Sequence, residues 1–535
     1  MTSQPSRSPS VRDAFIRLMK DLGIDTVFGN PGSTELPMFR QFPADMRYVL
    51  GLQESVVVGM ADGYAQATKG AALVNLHSAV GVGHAMGNIF TAYKNQTPLI
   101  ITAGQQARSI LPFDPYLFSA QSTDLPKPYV KWACEPARAA DVPIALARAY
   151  YMAMQAPRGP VFLSIPADDW EAETDWVVPR SVSQSIGPEP TLLSRLSHDL
   201  GKANNIALIT GAGVARDGAI RQAVRLAEQY QAAVYSAPMS ARCGFPERHA
   251  LFMGFLPPMR EKIVAQLQRY DLILVLGAPA FTYHIEGAGP HIPLGATCWQ
   301  IIDDPNIAAW TPTGHTIVSS IDLALDALLA INASSDQPRS APPARAKPPQ
   351  PLATSPMSAA FVLSVLDQVR GNNDVIVEES PSTRTTMQQY LPMEGEDHFY
   401  TMASGGLGWG MPAAVGVALG RKKLGLAGSV IALIGDGSAM YAIQALHSAA
   451  ELGLPIIFLI MNNRRYAALQ EFAPVFGYAP DEKPVGTDLS GIDFVRLAEA
   501  QGVQAARLDN PNELSSSLLA ALRAKEPYLL EVVIA

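Results

Sequence analysis

The chain has 535 residues, 48% of them hydrophobic and 16% charged, and its 48 acidic against 40 basic side chains leave a net charge of −8. That length exceeds what one hydrophobic core organises, so about three domains are expected. The composition excludes a disordered chain, and the acidic balance excludes a general binder of nucleic acid or of anionic membrane surface, leaving a small molecule as the expected partner.

The polar opening MTSQPSRSPS runs into an amphipathic helix without the apolar stretch of a signal peptide, and no charge-free apolar run of about 18 residues follows anywhere. Cys134, Cys243 and Cys298 are far apart and match no metal-ligand spacing, so free thiols in a reducing, cytoplasmic compartment are expected. Short apolar runs then alternate with helix-length segments: DTVFGN, YVLGL, AALVNLH, PLIITAG and VFLSIP read as buried strands of a first domain, 1–180. After a polar break, NIALITGAG, AAVYSAP, DLILVLGAP, CWQIIDD and HTIVSSI form a second set, 190–331. Residues 332–356 hold seven prolines and almost no large apolar side chain, as a surface tether does. DVIVEES, SVIALIGDG, PIIFLIMNN and YLLEVVIA then make a third set, 357–535. The fold class expected is α/β, with three doubly wound parallel-sheet domains.

The third set carries the most specific signal. Its strand VIALI enters Gly435-Asp436-Gly437-Ser438 and then a helical pattern, a geometry that lets a phosphate approach bare backbone N–H groups. Asp436 would repel a bare phosphate, and a divalent cation between them removes the conflict. The second oxygen donor this requires stands at the end of the next strand, in Asn462-Asn463, with 24 residues between Gly437 and Asn462 for one helix and one strand.

GDGS followed at this distance by NN resembles the metal and diphosphate motif of the thiamine diphosphate-dependent decarboxylase family. The resemblance implies thiamine diphosphate as cofactor, with magnesium, replaceable by calcium, held by the side chains of Asp436 and Asn463 and by the carbonyl of Arg465. Gly435, Gly437, Ser438 and Tyr466 complete the cofactor cradle. Ser382 is implied as a diphosphate donor, because Pro381 stands where the family tends to have a small hydroxyl. Arg464 and Arg465 depart from the family's pattern, and ligation through a carbonyl makes the side chain at 465 replaceable. In YVLGLQESVVVGMADGYAQATKG, Glu54 matches the acid that hydrogen-bonds the cofactor pyrimidine, although an acid at a first helical turn is also a good dipole partner. In ASGGLGWGMPAA, Gly405 would offer a carbonyl to the pyrimidine amino group and Leu407 would hold the cofactor bent, while the same glycines also suit a close helix contact.

Within that family the chain is similar, nearly end to end, to the branch that decarboxylates benzoylformate. FGNPGSTELP places Ser33 as the group binding the substrate carboxylate, VNLHSAVGVGHAMG places His77 as the first catalytic histidine, and LGAPAFTYHIEG places His284 as the second. Ala468, Leu469 and Phe472 would shape the aryl pocket, a reading that competes with plain core packing at helical spacing. The other histidines, His84 and His447 among them, read as structural. The implied reaction is decarboxylation of an aromatic 2-oxo acid to the aldehyde and CO2 through a thiamine ylide and an enamine, the imidazoles moving protons near neutral pH. The resemblance further implies a homotetramer, a dimer of dimers with sites at the dimer interface. A carboligase of the acetohydroxyacid synthase type and a non-catalytic cofactor-binding protein are the alternatives. The turn Gly211-Ala212-Gly213 alone is a weak nucleotide signal, and no flavin is expected.

Overall fold

A computed structural model describes residues 8–331 and 339–535. Its eighteen strands form three six-stranded sheets. The first sheet uses β1 (Thr26–Gly29), β2 (Arg47–Leu50), β3 (Ala72–Leu76), β4 (Leu99–Gln105), β5 (Ala133–Cys134) and β6 (Val161–Pro166), in the order β2-β1-β3-β4-β6-β5, every pair parallel. The second uses β7 (Ile206–Thr210), β8 (Ala233–Ser236), β9 (Phe252–Phe255), β10 (Leu272–Leu276), β11 (Thr297–Ile302) and β12 (His315–Val318), in the order β12-β11-β10-β7-β8-β9, again all parallel. The third comprises β13 (Val375–Glu379), β14 (Phe399–Thr401), β15 (Val430–Gly435), β16 (Ile456–Asn462), β17 (Gln504–Leu508) and β18 (Tyr528–Val533), in the order β14-β13-β15-β16-β18-β17. Central strands such as β3, β4, β7, β10 and β16 are buried at every residue, because helices cover both faces and leave no position facing water.

Four strands, β5, β9, β14 and β17, lie outside the apolar runs read from the sequence, and each is the last strand at a sheet edge. An edge strand is covered less completely and needs no continuous apolar run; β17 exposes part of most of its length. Residues 332–338 of the proline-rich tether lie outside the described residues, and residues 339–356 form no helix or strand. Gly211 and Gly213 pack directly on Gly277 and Ala278, so that a Cβ at Gly213 would come within 2.7 Å of the Gly277 Cα. Close backbone approach accounts for these glycines without a nucleotide.

The chain divides into two compact units. One comprises the chain up to Val182 with Ser404–Arg507 and Arg523–Val532, and the other comprises Ser183–Ala403, Leu508–Leu522 and Val533–Ala535. Inside the first unit, the helices Glu54–Thr68 and Gly410–Lys423 pack together around Asp62, which has no exposed surface. Its carboxylate accepts from Thr97 Oγ1, Gln66 Nε2, Asn95 Nδ2 and Trp409 Nε1 at 2.5–2.9 Å, so each oxygen of this buried acid is satisfied. The three cysteines are free. Among the described residues, no helix is long and apolar enough to cross a membrane.

Candidate active site

β1 ends at Gly29 and delivers the chain into Asn30–Ser33, beside the end of β3, where His77 caps the helix Ser78–Asn95. The acid of the same loop, Glu35, is 2% exposed. Its Oε1 accepts from Thr34 Oγ1 at 2.6 Å and Gly104 N at 2.8 Å, and its Oε2 accepts from Gly32 N at 2.8 Å and His77 Nδ1 at 2.9 Å. A carboxylate oxygen that already takes a peptide N–H asks for a second donor, so this network assigns the proton to His77 Nδ1 and leaves Nε2 as the outward-facing nitrogen. Gly32 makes room for the ring: a Cβ there would lie 2.0 Å from His77 Nδ1. The corner is strained where it turns into the helix. Ser78 holds φ +46°, and its buried hydroxyl has no hydrogen-bond partner among the described residues. Ser33 is exposed on the same loop.

Glu54 opens the helix Glu54–Thr68, whose first N–H groups, those of Ser55 and Val56, donate to the Gln53 side chain. The Glu54 carboxyl is mostly covered, and its Oε2 lies 3.1 Å from His84 Nδ1.

In the same unit, β15 and β16 run parallel in register, so that Gly435 stands opposite Met461 and the two following loops lie side by side. Asp436 is 5% exposed. Its Oδ1 accepts from Gly437 N at 2.8 Å, whereas its Oδ2 is buried with no hydrogen-bond partner among the described residues. Burial pushes the carboxyl above the usual carboxylate range, against the pull of the N–H groups of Gly437, Arg464 and Arg465. Asn462 holds the facing loop down, donating to buried Glu531 at 2.7 Å and accepting from Arg464 N at 3.0 Å. Arg464 takes φ +60°, and Arg465 N then reaches Asn463 Oδ1 at 3.2 Å. Backbone bonds from Leu489 N to the Arg464 carbonyl and from Tyr466 N to the Thr487 carbonyl flank Arg465 on both sides. The Arg464 and Arg465 side chains, which depart from the family's pattern, are exposed. A Cβ at Gly437 would lie 2.3 Å from the Tyr466 ring, so only glycine lets Tyr466 close over this turn.

Family models for the N-terminal, central and C-terminal domains of thiamine pyrophosphate enzymes match residues 9–122, 193–328 and 382–532. A benzoylformate decarboxylase of Pseudomonas aeruginosa is 42% identical over 98% of this chain and 98% of its own. The chain belongs to the thiamine pyrophosphate enzyme family. Crystallographic relatives in the family include a benzoylformate decarboxylase from Polynucleobacter necessarius (39% identity, TM-score 0.95, 98% of each chain). A 4-hydroxybenzoylformate decarboxylase from Rhodococcus jostii RHA1 follows at 37% identity and TM-score 0.93, over 98% of this chain and 99% of its own. Acetolactate synthase large subunits match at 23–27% identity.

The oxygens that the Asp436 loop and the facing Asn463–Arg465 loop present are of the kind that suits a divalent cation beside a diphosphate. The open Oδ2, the Asn463 side-chain oxygen and the Arg465 carbonyl are the hard oxygen donors a magnesium ion accepts, its remaining positions going to phosphate and water. Among the described residues no three His, Cys, Asp or Glu side chains cluster as a metal site, and this donor set contains only one of those four types. Ser438 is buried in the short helix Asp436–Met440. Gly405 takes φ +74° with open space around it, and Leu407 is half-buried beside it. On the helix Ala467–Phe472, Ala468 and Phe472 are half-buried and Leu469 is 57% exposed, more exposure than a core residue would keep. His284 and Ser382 belong to the second unit, where His284 sits in an exposed loop with its N–H on the Pro258 carbonyl and Ser382 is half-buried at the end of β13.

Glu35 escaped the sequence reading, and Asn462 was read without its partner. Glu35 stood in the quoted loop GSTELP, and the signal for it was an acid two residues past Ser33 in an otherwise uncharged turn. Asn462 was read only as half of a doublet, and nothing in the sequence pairs it with Glu531.

Proposed function

We propose that the protein is a thiamine diphosphate- and magnesium-dependent decarboxylase of an aromatic 2-oxo acid, benzoylformate or a close analogue, releasing the aldehyde and CO2. The observation that carries this reading is the His77–Glu35 pair, an imidazole fixed against the loop that carries Ser33, in a chain similar over nearly its whole length to benzoylformate decarboxylases. When bound, thiamine diphosphate supplies a carbon nucleophile and a sink for the electrons released with CO2. Asp436, Asn463 and the Arg465 carbonyl hold the cation, and Gly435, Gly437, Ser438, Tyr466 and Ser382 border the diphosphate. Gly405, Leu407 and Glu54 position the pyrimidine ring. Ser33 orients the substrate carboxylate, His77 and His284 give and take protons at the reacting carbon and oxygen, and Ala468, Leu469 and Phe472 face the aryl group.

In this reading residues 1–180 are the pyrimidine-binding domain, 190–331 the middle domain, 332–356 a linker and 357–535 the diphosphate-binding domain, in a soluble cytoplasmic enzyme. The assembly is a dimer of dimers in which the acid of one copy meets the diphosphate loop of a partner. Exposed apolar side chains on the first unit, Val80, Ile110, Phe113 and Tyr116, support burial against another copy.

The test is CO2 release from a panel of aromatic and aliphatic 2-oxo acids, with thiamine diphosphate and magnesium omitted in turn and with and without added aldehyde. Release from aromatic substrates that needs both components, with free aldehyde as product, is expected. Ligated product without free aldehyde would make the protein a carboligase, and no turnover on any substrate despite bound cofactor would overturn the enzymatic reading.

A further inference from the structure

Glu54 lies against the helix Ser78–Asn95, where Gly81 and His84 meet its side chain and Asn88, one turn on, meets the backbone of Ser55. At Gly81 a Cβ would stand 3.3 Å from Glu54 Cγ, so the missing side chain is the slot that admits the Glu54 stem. At His84 the ring Nδ1 meets Oε2 at 3.1 Å. At Asn88 the amide donates to the Ser55 carbonyl at 2.7 Å and to the Gly408 carbonyl at 3.0 Å, clamping the two helices to each other and to the turn ahead of the helix Gly410–Lys423. Spacings of three and four residues put slot, donor and clamp on one helix face.

The clamp makes His84 unnecessary for holding the helices together. Its side chain is 58% exposed, and a polar contact with so exposed a partner contributes little to stability. Its geometry nevertheless occupies one oxygen of an acid whose work is to present the other. We propose that His84 is a positioning residue: its Nδ1–H holds Glu54 Oε2 and so fixes the carboxyl plane, leaving one oxygen to meet the cofactor ring nitrogen. This rests on the role of Glu54 given above.

The test compares the full-length holoenzyme with H84A, H84N, E54Q and the E54Q/H84A double variant, measuring exchange of the cofactor C2 proton for deuterium by quenched NMR and thiamine diphosphate affinity by equilibrium dialysis. H84A is expected to slow exchange about tenfold, the scale of one hydrogen bond to a charged group, with affinity and thermal midpoint nearly unchanged. H84N, whose amide N–H replaces Nδ1–H, is expected to restore most of that loss. In the E54Q background H84A should add nothing. Wild-type exchange in H84A, an H84N as slow as H84A, or additive losses in the double variant would each overturn the proposal. Wild-type exchange in E54Q would instead remove the role of Glu54 itself, so the two failures are distinguishable.

Discussion

Two buried acids in the same unit, Asp436 and Glu35, are finished differently. Glu35 has both oxygens filled, two donors on each, and one of those donors is an imidazole. Asp436 has one oxygen filled by the next peptide N–H and one left bare inside the protein. Leaving a buried polar atom unpaired costs roughly 1–3 kcal/mol, more for a charged group, so the bare oxygen of Asp436 is a candidate contact for a bound group. A saturated acid holds its neighbours in place, whereas an unsaturated one waits for a ligand. The unpartnered Ser78 hydroxyl, adjoining His77 at a strained φ, follows the second pattern at the first acid's doorstep.

The comparison breaks most visibly at Asp436. Replacing it with alanine removes the bare oxygen, and metal-dependent retention of thiamine diphosphate is expected to weaken by more than about a hundredfold, beyond the tenfold to hundredfold typical of losing a group that only supports a metal ligand. Cofactor content after dialysis against a chelator checks this. Content equal to wild type would remove Asp436 from the cation site, and its orphan oxygen would then mark some other ligand.

How far each region could be read from sequence follows the same division. The Asp436 loop was legible because its chemistry is contiguous: strand, glycine, acid, glycine, then an amide one crossover later. The central strands were legible because burial on both faces forces continuous apolar runs, whereas β5, β9, β14 and β17 at the edges carry no such constraint. The Glu35–His77 pair joins residues 42 apart through a glycine gap, and the Glu54–His84 pair joins residues 30 apart across two helices. Neither leaves a periodic signal, since each depends on which helix faces meet. His77 was found through resemblance, and the carboxylate that sets its tautomer was not.

Glutamine at position 35 sharpens the contrast. Its amide must point an NH2 either at Gly32 N and His77 Nδ1 or at Thr34 Oγ1 and Gly104 N, and each choice sets donor against donor. Loss of kcat by about tenfold to a hundredfold is expected, part of what a positioned general acid or base contributes, with thiamine diphosphate retention unchanged. Steady-state kinetics beside dialysis separates the two acids: equal loss of retention in E35Q would mean that Glu35 supports the whole unit and not His77 alone.

The smallest effect belongs to Thr34, 3% exposed, whose hydroxyl donates to Glu35 Oε1 at 2.6 Å and lies 3.3 Å from His77 Nδ1. Valine keeps the shape and deletes that donor, leaving Gly104 N on Oε1 and both donors on Oε2. One hydrogen bond to a charged acceptor is lost from a carboxylate that keeps three, so a kcat reduction of about two- to fivefold is expected, near 1 kcal/mol or below. The KM for the 2-oxo acid should hold, because the group that moves is the imidazole and not the Ser33 side of the loop. A T34V variant as impaired as E35Q would show that packing of the loop, rather than the charge of Glu35, sets the imidazole, and a saturated acid would then be a consequence of that packing instead of its organiser.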